Sequence, residues 1–556
     1  MQSLGRAGVC VHAASELTDC LAFRSRFACA CYLHPDAQDV AAFTEWLRAL
    51  DRENGYSLII PATENTLCAL NSLAGEDLLR RKAMLPSATA LEVALSKEAT
   101  TERAARLGIR VPASRLIESV NSIPDAADFP VVLKPTRSLV HVGGRTERLA
   151  PLIVRDEAGR RTALVRMLHK SSVQEQQYIS GRGVGVECLY EHGRLVWVFV
   201  HERIHELPLT GGGSSYRKSV APDPVAIQLA KRLLDDLDWH GVAMVEFKRQ
   251  SDGSLWLMEI NPRFWGSLAL AIDAGVDFPL GLWRLACGDT AGPQPLYRVP
   301  YYTRQIVRDI DWLKENWRAD HGDPLLLTRP RARSLAEYLR PLLLQESWDH
   351  FSFRDPVITW RQLRSVARDN IVVPLRRHVR NRIQRRKLRG KLAHLKRQIS
   401  SGERLIRRVM FVCYGNICRS PFAEVYANEY IREWHATSAA LHGAAGRESP
   451  EHLVRTARAV GVNLEGWQSR QADEYSIAEA DLICTMDTAN YEAMLERFPH
   501  AADRTLPLGL FDPKGQVEIE DPYSLSEEAT LAILVQIRRS LEGLASVIRA
   551  ASAPRR

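Results

Sequence analysis

The run Cys413-Tyr-Gly-Asn-Ile-Cys-Arg-Ser-Pro421 decides how the C-terminal quarter of this chain is read. It follows Val409-Met-Phe-Val412, an apolar stretch with the character of a buried strand. It precedes Phe422-Ala-Glu-Val-Tyr-Ala-Asn-Glu-Tyr-Ile, which has helical periodicity. A cysteine, five residues and an arginine between strand and helix make a phosphate cradle, because the N–H groups of the turn and of the helix N-terminus point inward and favour an anion. The same field favours the thiolate of Cys413, a nucleophile at neutral pH. Arg419 can hold two phosphate oxygens with its planar fork.

A thiolate that attacks a phosphate ester needs an acid on the leaving oxygen, then a base to activate water against the thiophosphate. About a hundred residues downstream, Asp521-Pro-Tyr523 offers one aspartate on a loop that can do both. The pairing resembles the low-molecular-weight protein tyrosine phosphatases over about 406–550. Ser438-Ala439, Gly461-Val-Asn-Leu464, Ser469-Arg-Gln471 and Asp481-Leu-Ile-Cys-Thr-Met-Asp487 also sit where that family has such segments. The resemblance implies a doubly wound parallel sheet, no cofactor and a phosphotyrosine protein substrate. It implies Cys413 as nucleophile, Arg419 as phosphate clamp and Asp521 as general acid. Asn416 would hold the loop shape and Ser420 would hydrogen-bond the thiolate. Cys418 would form a reversible protective disulfide with Cys413. Arsenate reduction on the same fold is the alternative. It needs a relay of further thiols, and Cys484 is the one other cysteine in this region, inside an apolar run.

The chain has 556 residues, enough for three or four domains or subdomains. With 46% hydrophobic and 25% charged residues it has the composition of a soluble globular protein. No apolar run is long enough to span a membrane, no signal-like segment opens the sequence, and the ten cysteines show no disulfide or metal spacing. A reducing cytoplasm is the expected location. The net charge of +8 is uneven. Residues 374–397 hold eleven Lys and Arg and no acid. Leu375, Val379, Ile383, Leu388, Leu392, Leu395 and Ile399 are spaced as one face of a helix. This reads as a basic helical linker over 373–404. The alternative is a surface for anionic lipid or an acidic partner; no nucleic-acid fold motif accompanies it, so nucleic acid is not expected.

Before the linker the pattern is α/β. Tyr56-Ser-Leu-Ile-Ile60 reads as a strand, 98–107 as a helix opened by Ser96 and stopped by Gly108, and Pro130-Val-Val-Leu-Lys134 as a strand ending in lysine. Residues 184–190 and 195–201 alternate as a hairpin across Glu191-His-Gly-Arg194. The next pair, Val242-Ala-Met-Val-Glu246 and Leu255-Trp-Leu-Met-Glu259-Ile-Asn261-Pro-Arg263, brings Glu246 and Glu259 together, with Asn261 on the face of Glu259. Two carboxylates and an amide oxygen are hard ligands suited to Mg²⁺, which takes its other ligands from phosphates and water. Lys97 and Lys134 could neutralise phosphates, and Arg263 could hold a carboxylate or a transferred phosphate.

This order resembles the ATP-grasp superfamily, and within it one ATP-binding half of the carbamoyl-phosphate synthase large chain, over about 1–290. The resemblance implies a pre-ATP-grasp α/β subdomain (1–88), an ATP-grasp domain of two α+β lobes (89–290) and a helical extension (291–372), ahead of the linker and a phosphatase domain at 405–550. It implies ATP with Mg²⁺ or Mn²⁺. Lys97 and Lys134 would contact phosphates; Glu175, Gln176, Gln177, Tyr178 and Ile179 would form the hinge around adenine, read by backbone; Glu246, Glu259 and Asn261 would hold the metals. Such enzymes phosphorylate a carboxylate and let an amine attack the acyl phosphate. The chain departs from the family in three places. Gly183 stands about where a ribose-contacting acid is expected, with Glu187 a poor substitute. The segment 136–144 is less glycine-rich than in several members. Met1 falls where the family's first helix would end and Gly8-Val-Cys-Val-His12 would be the second strand, so either the first strand–helix unit is absent or the true start lies upstream. Thr210-Gly-Gly-Gly-Ser-Ser215, flanked by Arg203 and Arg217, reads either as a loop that meets the phosphates or the acceptor, or as a flexible hairpin tip. The expected function is therefore an ATP-dependent ligase-like module fused to a tyrosine phosphatase. The alternative is a phosphatase regulated by an ATP-binding module that does not turn over.

Overall fold

The computed structural model describes residues 1–552 apart from 76, 126, 137–138, 143–144, 149–150, 344, 350 and 353. Part of the glycine-poor segment 136–144 thus lies outside the described residues. The chain divides into two compact units, Met1–Arg368 and Asp369–Arg556.

The first unit is built on a seven-stranded sheet. Its strands run in the order Leu255–Asn261, Gly241–Arg249, Arg182–Glu191, Arg194–Leu207, Gly213–Ser219, Tyr302–Arg304 and Glu346–Trp348. All neighbours are antiparallel except the last pair. The expected hairpin closes through His192 and Gly193, both at positive φ (45° and 72°), which is the tight two-residue turn that suits the twist of the flanking strands. Alternate residues of Arg182–Glu191 serve the two faces. Val184, Val186, Cys188 and Tyr190 pack with the helix Pro224–Asp236, whereas Leu189 joins Phe199, Met244 and the helix Leu268–Ala274. A second, four-stranded antiparallel sheet has the order Ser114–Ile117, Val173–Gln177, Val131–Pro135, Leu152–Val154. The helix Lys97–Arg106 begins where Ser96 caps it, its hydroxyl accepting from the Ala99 N–H, and Gly108 follows at φ 69°.

Two strand expectations shift. Gly8 lies at φ 82° directly after the helix Gln2–Arg6, so the N-terminal strand starts later, at Val11–Ser15, parallel to Ala28–Leu33. Tyr56-Ser-Leu-Ile-Ile60 has no regular secondary structure, with a bend at Ser57, and joins no ladder among the described residues; its Ile59 N–H donates to the Lys82 carbonyl, and Pro61 ends the run. A short apolar run does not by itself distinguish a strand from an irregular, half-buried segment.

The far edge of the large sheet is tied down by a buried charge network. His205 lies between Asp309 (2.8 Å) and Glu337 (2.9 Å) and stacks on Trp312 at 3.3 Å, while Arg304 pairs with Asp309 and with Glu346 (2.8 Å). Burial alone would raise the Asp309 carboxyl, but His205, Arg304 and the Tyr338 hydroxyl outweigh it and hold it at about 2. The folded value lies below the unfolded one, so the stabilisation is present above pH ~4 and lost as pH falls towards ~2. Asp309→Asn should cost about 2 kcal/mol at pH 7 and flatten the pH dependence of urea unfolding between pH 4 and 2.

The second unit carries a four-stranded parallel sheet in the order His435–Ala440, Arg408–Cys413, Leu482–Thr485, Thr505–Pro507. Both faces are covered, as a parallel sheet requires. Val409 and Phe411 face the helices Arg419–Tyr430 and Glu527–Ser552 through Phe422, Ile537 and Leu541; Met410 and Val412 face Ile477 and Met494. The basic segment is a 29-residue helix, Val373–Ser401, ended by Gly402 at φ 77°. Leu388, Leu395 and Ile399 are buried in the same core as Phe411 and Leu541, with Leu392 against them. The side chains of Val379 and Ile383 lie outside the described residues.

Candidate functional site

In the second unit the site forms where the strand Arg408–Cys413 turns into the helix Arg419–Tyr430. Ligand sites of parallel sheets lie at this carboxyl edge. Cys413 Sγ is 3.0 Å from Ser420 Oγ and accepts from the Asn416 N–H at 3.2 Å. Asn416 sits at φ 50°, a left-handed conformation that asparagine tolerates better than most residues. Its buried side chain fixes the turn: Nδ2 donates to Ser420 Oγ (2.9 Å) and Ser438 Oγ (2.7 Å), and Oδ1 accepts from the Arg470 N–H (2.8 Å). Outside the turn, Trp467 Nε1 donates to the Asn416 carbonyl and Arg447 to the Gly415 carbonyl, each at 2.9 Å.

Arg419 is only 2% exposed and is clamped from three sides. It donates to Asp487 (2.6 Å), to the Ile519 carbonyl (2.9 Å) and to Asp521 (2.8 Å). Cys413 also lies near enough to act electrostatically on the same guanidinium as Asp521. Asp487 was not assigned a role from the sequence. It caps the helix Thr488–Arg497 and looks there like an ordinary N-cap; the usable signal is its place at the carboxyl edge of the neighbouring parallel strand. Cys418 is buried, and burial together with the nearby Asp521 and Cys413 pushes its thiol well up. Cys484 is fully buried in the sheet and its thiol is pushed up by burial, so it is not placed to relay electrons to a surface thiol.

In the first unit, Glu246 and Glu259 face each other across the ladder, and Asn261 Nδ2 donates to Glu246 at 2.8 Å. Burial and Glu259 raise the Glu246 carboxyl, against the pull of Arg203, which lies 2.5 Å away. Lys134 of the smaller sheet joins this cluster. Its ammonium is lowered to about 8, first by burial and then by Lys97, with Lys248 adding to the effect and Glu259 and Glu246 opposing it. Lys248 was missed in the sequence, although it lies two residues beyond Glu246 and so projects to the same face. Its ammonium donates to the Ile179 carbonyl (3.0 Å) and lies over the Tyr178 ring, tying the hinge segment to the cluster. Three ammonium groups beside two carboxylates, one of them desolvated, form a charge pattern that a polyphosphate with a divalent ion complements.

Other expected residues stand elsewhere. The side chain of Glu175, expected in the hinge to act by backbone, is taken up by ion pairs. It is 4% exposed and bonds Arg115 (2.6 Å) and Arg160 (2.5 Å). Gln176 is buried in the small sheet, and Gln177 accepts from the Ala113 N–H. Arg217 is committed to a buried pair with Asp349 rather than turned to the cluster. Arg263 makes no ion pair among the described residues and lines a small pocket with Ile60, Met84 and Phe264. The glycine loop does approach the cluster: a Cβ on Gly211 would lie 3.3 Å from Lys248 Nζ, and Gly212 exchanges hydrogen bonds with Arg203 and Glu206. Glu187 is fully buried, accepts from Ser267 Oγ at 2.8 Å, and is raised strongly by burial.

Residues 408–553 match the family model described as low molecular weight phosphotyrosine protein phosphatase. The phosphatase Wzb of Escherichia coli (strain K12) is 31% identical over 146 residues, which cover 26% of this chain and 98% of the relative. The chain belongs to the low molecular weight protein tyrosine phosphatases. The family's enzyme from Sus scrofa is 29% identical over 157 residues, 26% of this chain and 99% of the relative. Residues 174–307 match the family model described as ATP-grasp in the biosynthetic pathway with Ter operon. The phosphatase is therefore fused to an ATP-grasp domain, a type of domain that binds ATP and a divalent metal ion. A solved L-amino acid ligase from Bacillus licheniformis aligns over 53% of this chain and 71% of its own, at 17% identity and a TM-score of 0.39. Among the described residues no helix of this phosphatase is long and apolar enough to cross a membrane.

Proposed function

We propose that the second unit hydrolyses phosphotyrosine in proteins through a phosphocysteine intermediate. The observation that carries this is that Arg419 of the Cys413 loop bonds Asp521 of a second loop, with Cys413 Sγ bonded by Ser420 and Asn416. In the first step Cys413 Sγ attacks phosphorus, an S–P bond forms, and the bond to the tyrosine oxygen breaks as Asp521 gives that oxygen a proton. In the second, Asp521 takes a proton from water, the water oxygen attacks phosphorus, and the S–P bond breaks to release phosphate. Arg419 exchanges its contact with Asp521 for the equatorial phosphate oxygens. Tyr414 and Tyr523 are 57% and 60% exposed on the loops that bear Cys413 and Asp521, and flat aromatic walls favour an aryl ester. The full chain should cleave a phosphotyrosine peptide at least ~100-fold more efficiently than the matching phosphoserine peptide, and Tyr414→Ala with Tyr523→Ala should erase most of that ratio. Equal rates on both peptides would sink the substrate reading.

For the ATP-grasp domain we propose Mg-ATP-dependent phosphorylation of a small carboxylate and capture of the acyl phosphate by an amine. Lys97, Lys134 and Lys248 neutralise phosphates, Glu259 and Asn261 offer oxygen ligands, and Arg263 faces the acceptor. Acceptor-dependent ADP release, lost in Glu259→Ala, is the test. A cytoplasmic location fits a thiolate enzyme with ten free cysteines.

The basic helix supplies a docking face for an anionic bilayer. Arg376, Arg382, Arg386, Lys387, Arg389, Lys396 and Arg397 are exposed and outside any ion pair among the described residues, next to exposed Ile371, Val373 and Leu375. Each cation near such a surface is worth about 1 kcal/mol. The protein should float with vesicles containing phosphatidylserine and not with pure phosphatidylcholine, and Arg382→Glu/Arg386→Glu/Arg389→Glu should abolish flotation. Binding that survives this charge reversal would exclude the proposal.

A further inference from the structure

Glu246 and Glu259 face each other as a pair that could each carry a divalent ion, yet their surroundings differ. Both oxygens of Glu246 are taken by side chains of the protein. One accepts from Asn261 Nδ2 at 2.8 Å, and the other meets the Arg203 guanidinium at 2.5 Å. No protein cation pairs with Glu259 among the described residues. Arg203 is not a surface side chain that happened to reach a carboxylate. It is 14% exposed, donates to the Gly212 carbonyl at 3.0 Å, and lies 3.9 Å from Glu206, which itself accepts from the Gly183 and Gly212 N–H groups. Its stem crosses directly over Gly183: a Cβ there would lie 2.6 Å from Arg203 Cδ. The glycine found where an acid was expected is thus what lets the arginine in.

We infer that Arg203 is a built-in cation that replaces a metal ion on Glu246, so that the ATP-grasp site takes one divalent ion, on Glu259, instead of one on each carboxylate. This rests on reading the cluster as the ATP and metal site. A guanidinium held by the glycine loop supplies fixed positive charge where a second ion would have to displace it and face its repulsion. It also links the position of that loop to the charge on Glu246.

The experiment is electron paramagnetic resonance of the full chain with Mn²⁺ and a non-hydrolysable ATP analogue. One bound Mn²⁺ per chain with an uncoupled six-line spectrum is expected. Arg203→Met should admit a second ion, recognised by the dipolar coupling of a pair about 3.5–4 Å apart. Glu246→Gln should leave one ion bound, whereas Glu259→Gln should weaken it about tenfold or more. Two coupled ions in the wild-type chain would overturn the inference and leave the ATP site standing. Analogue and Mn²⁺ that both fail to bind would overturn the reading of the site, and the inference with it. If Arg203→Met does not fold, the wild-type spectrum still decides.

Discussion

Cys413→Ser should abolish hydrolysis of p-nitrophenyl phosphate and of phosphotyrosine peptides, with kcat lowered by at least about 10⁴-fold. The substitution changes one atom and keeps the loop, because Asn416 Nδ2 still holds Ser420 and Ser438 and a serine oxygen can take the place of the sulfur opposite Ser420 and the Asn416 N–H. What disappears is the nucleophile: a serine hydroxyl has no base in the cradle to take its proton, whereas a thiolate needs none. The variant should therefore keep its folding midpoint and still bind phosphate, and this separates loss of chemistry from loss of structure. Hydrolysis retained by this variant would mean that another group attacks phosphorus.

Arg419→Lys should lower kcat/KM by about 10²–10³-fold, or 3–4 kcal/mol of transition-state stabilisation, although the charge is kept. Arg419 makes three directed bonds at once, to Asp487, to the Ile519 carbonyl and to Asp521. A lysine ammonium is a point charge without the planar fork, so it cannot remain anchored on Asp487 and also present two parallel donors to the transferring phosphoryl group. The loss should appear chiefly in kcat, because charge on the equatorial oxygens is positioned most critically in the transition state. Stopped-flow measurement of phosphocysteine formation would read it directly. A variant with wild-type kcat would show that charge alone suffices at this position.

What the sequence made legible follows from distance along the chain. The cradle is one strand, one turn and one helix, so the roles of Cys413, Asn416, Arg419 and Ser420 could be read from adjacent residues. Asp487 could not, because it meets Arg419 across 68 residues and its local pattern is complete as a helix cap. In the other unit, the hairpin register put Glu246 opposite Glu259 as expected, since period-2 patterning and turn length fix register. The same periodicity marks Lys248 as a neighbour of Glu246. Arg203 was legible only as a flanking charge; its contact with Glu246 passes over a glycine on the intervening strand, which no spacing rule shows. The hinge Glu175 to Ile179 is assigned from the family resemblance to act by backbone, so the direction of the Glu175 side chain, towards Arg115 and Arg160, is not part of that reading. The run 56–60 failed as a strand because apolar residues do not by themselves supply a ladder partner; the segment stays irregular and only half-buried.

The packing of Leu388, Leu395 and Ile399 also bears on how this enzyme can be cut and recombined. Homology to the stand-alone phosphatases begins at residue 408, yet the hydrophobic interior that supports the catalytic loop extends back into the preceding helix. The portable module is thus longer than its family signature. A transplant or truncation made at the homology boundary would strip four interior aliphatic side chains, Ile406 with the three of the helix, at about 1.5–3 kcal/mol each, and leave a bare greasy stripe on the fragment. An excision that begins ahead of Val373 keeps that interior closed.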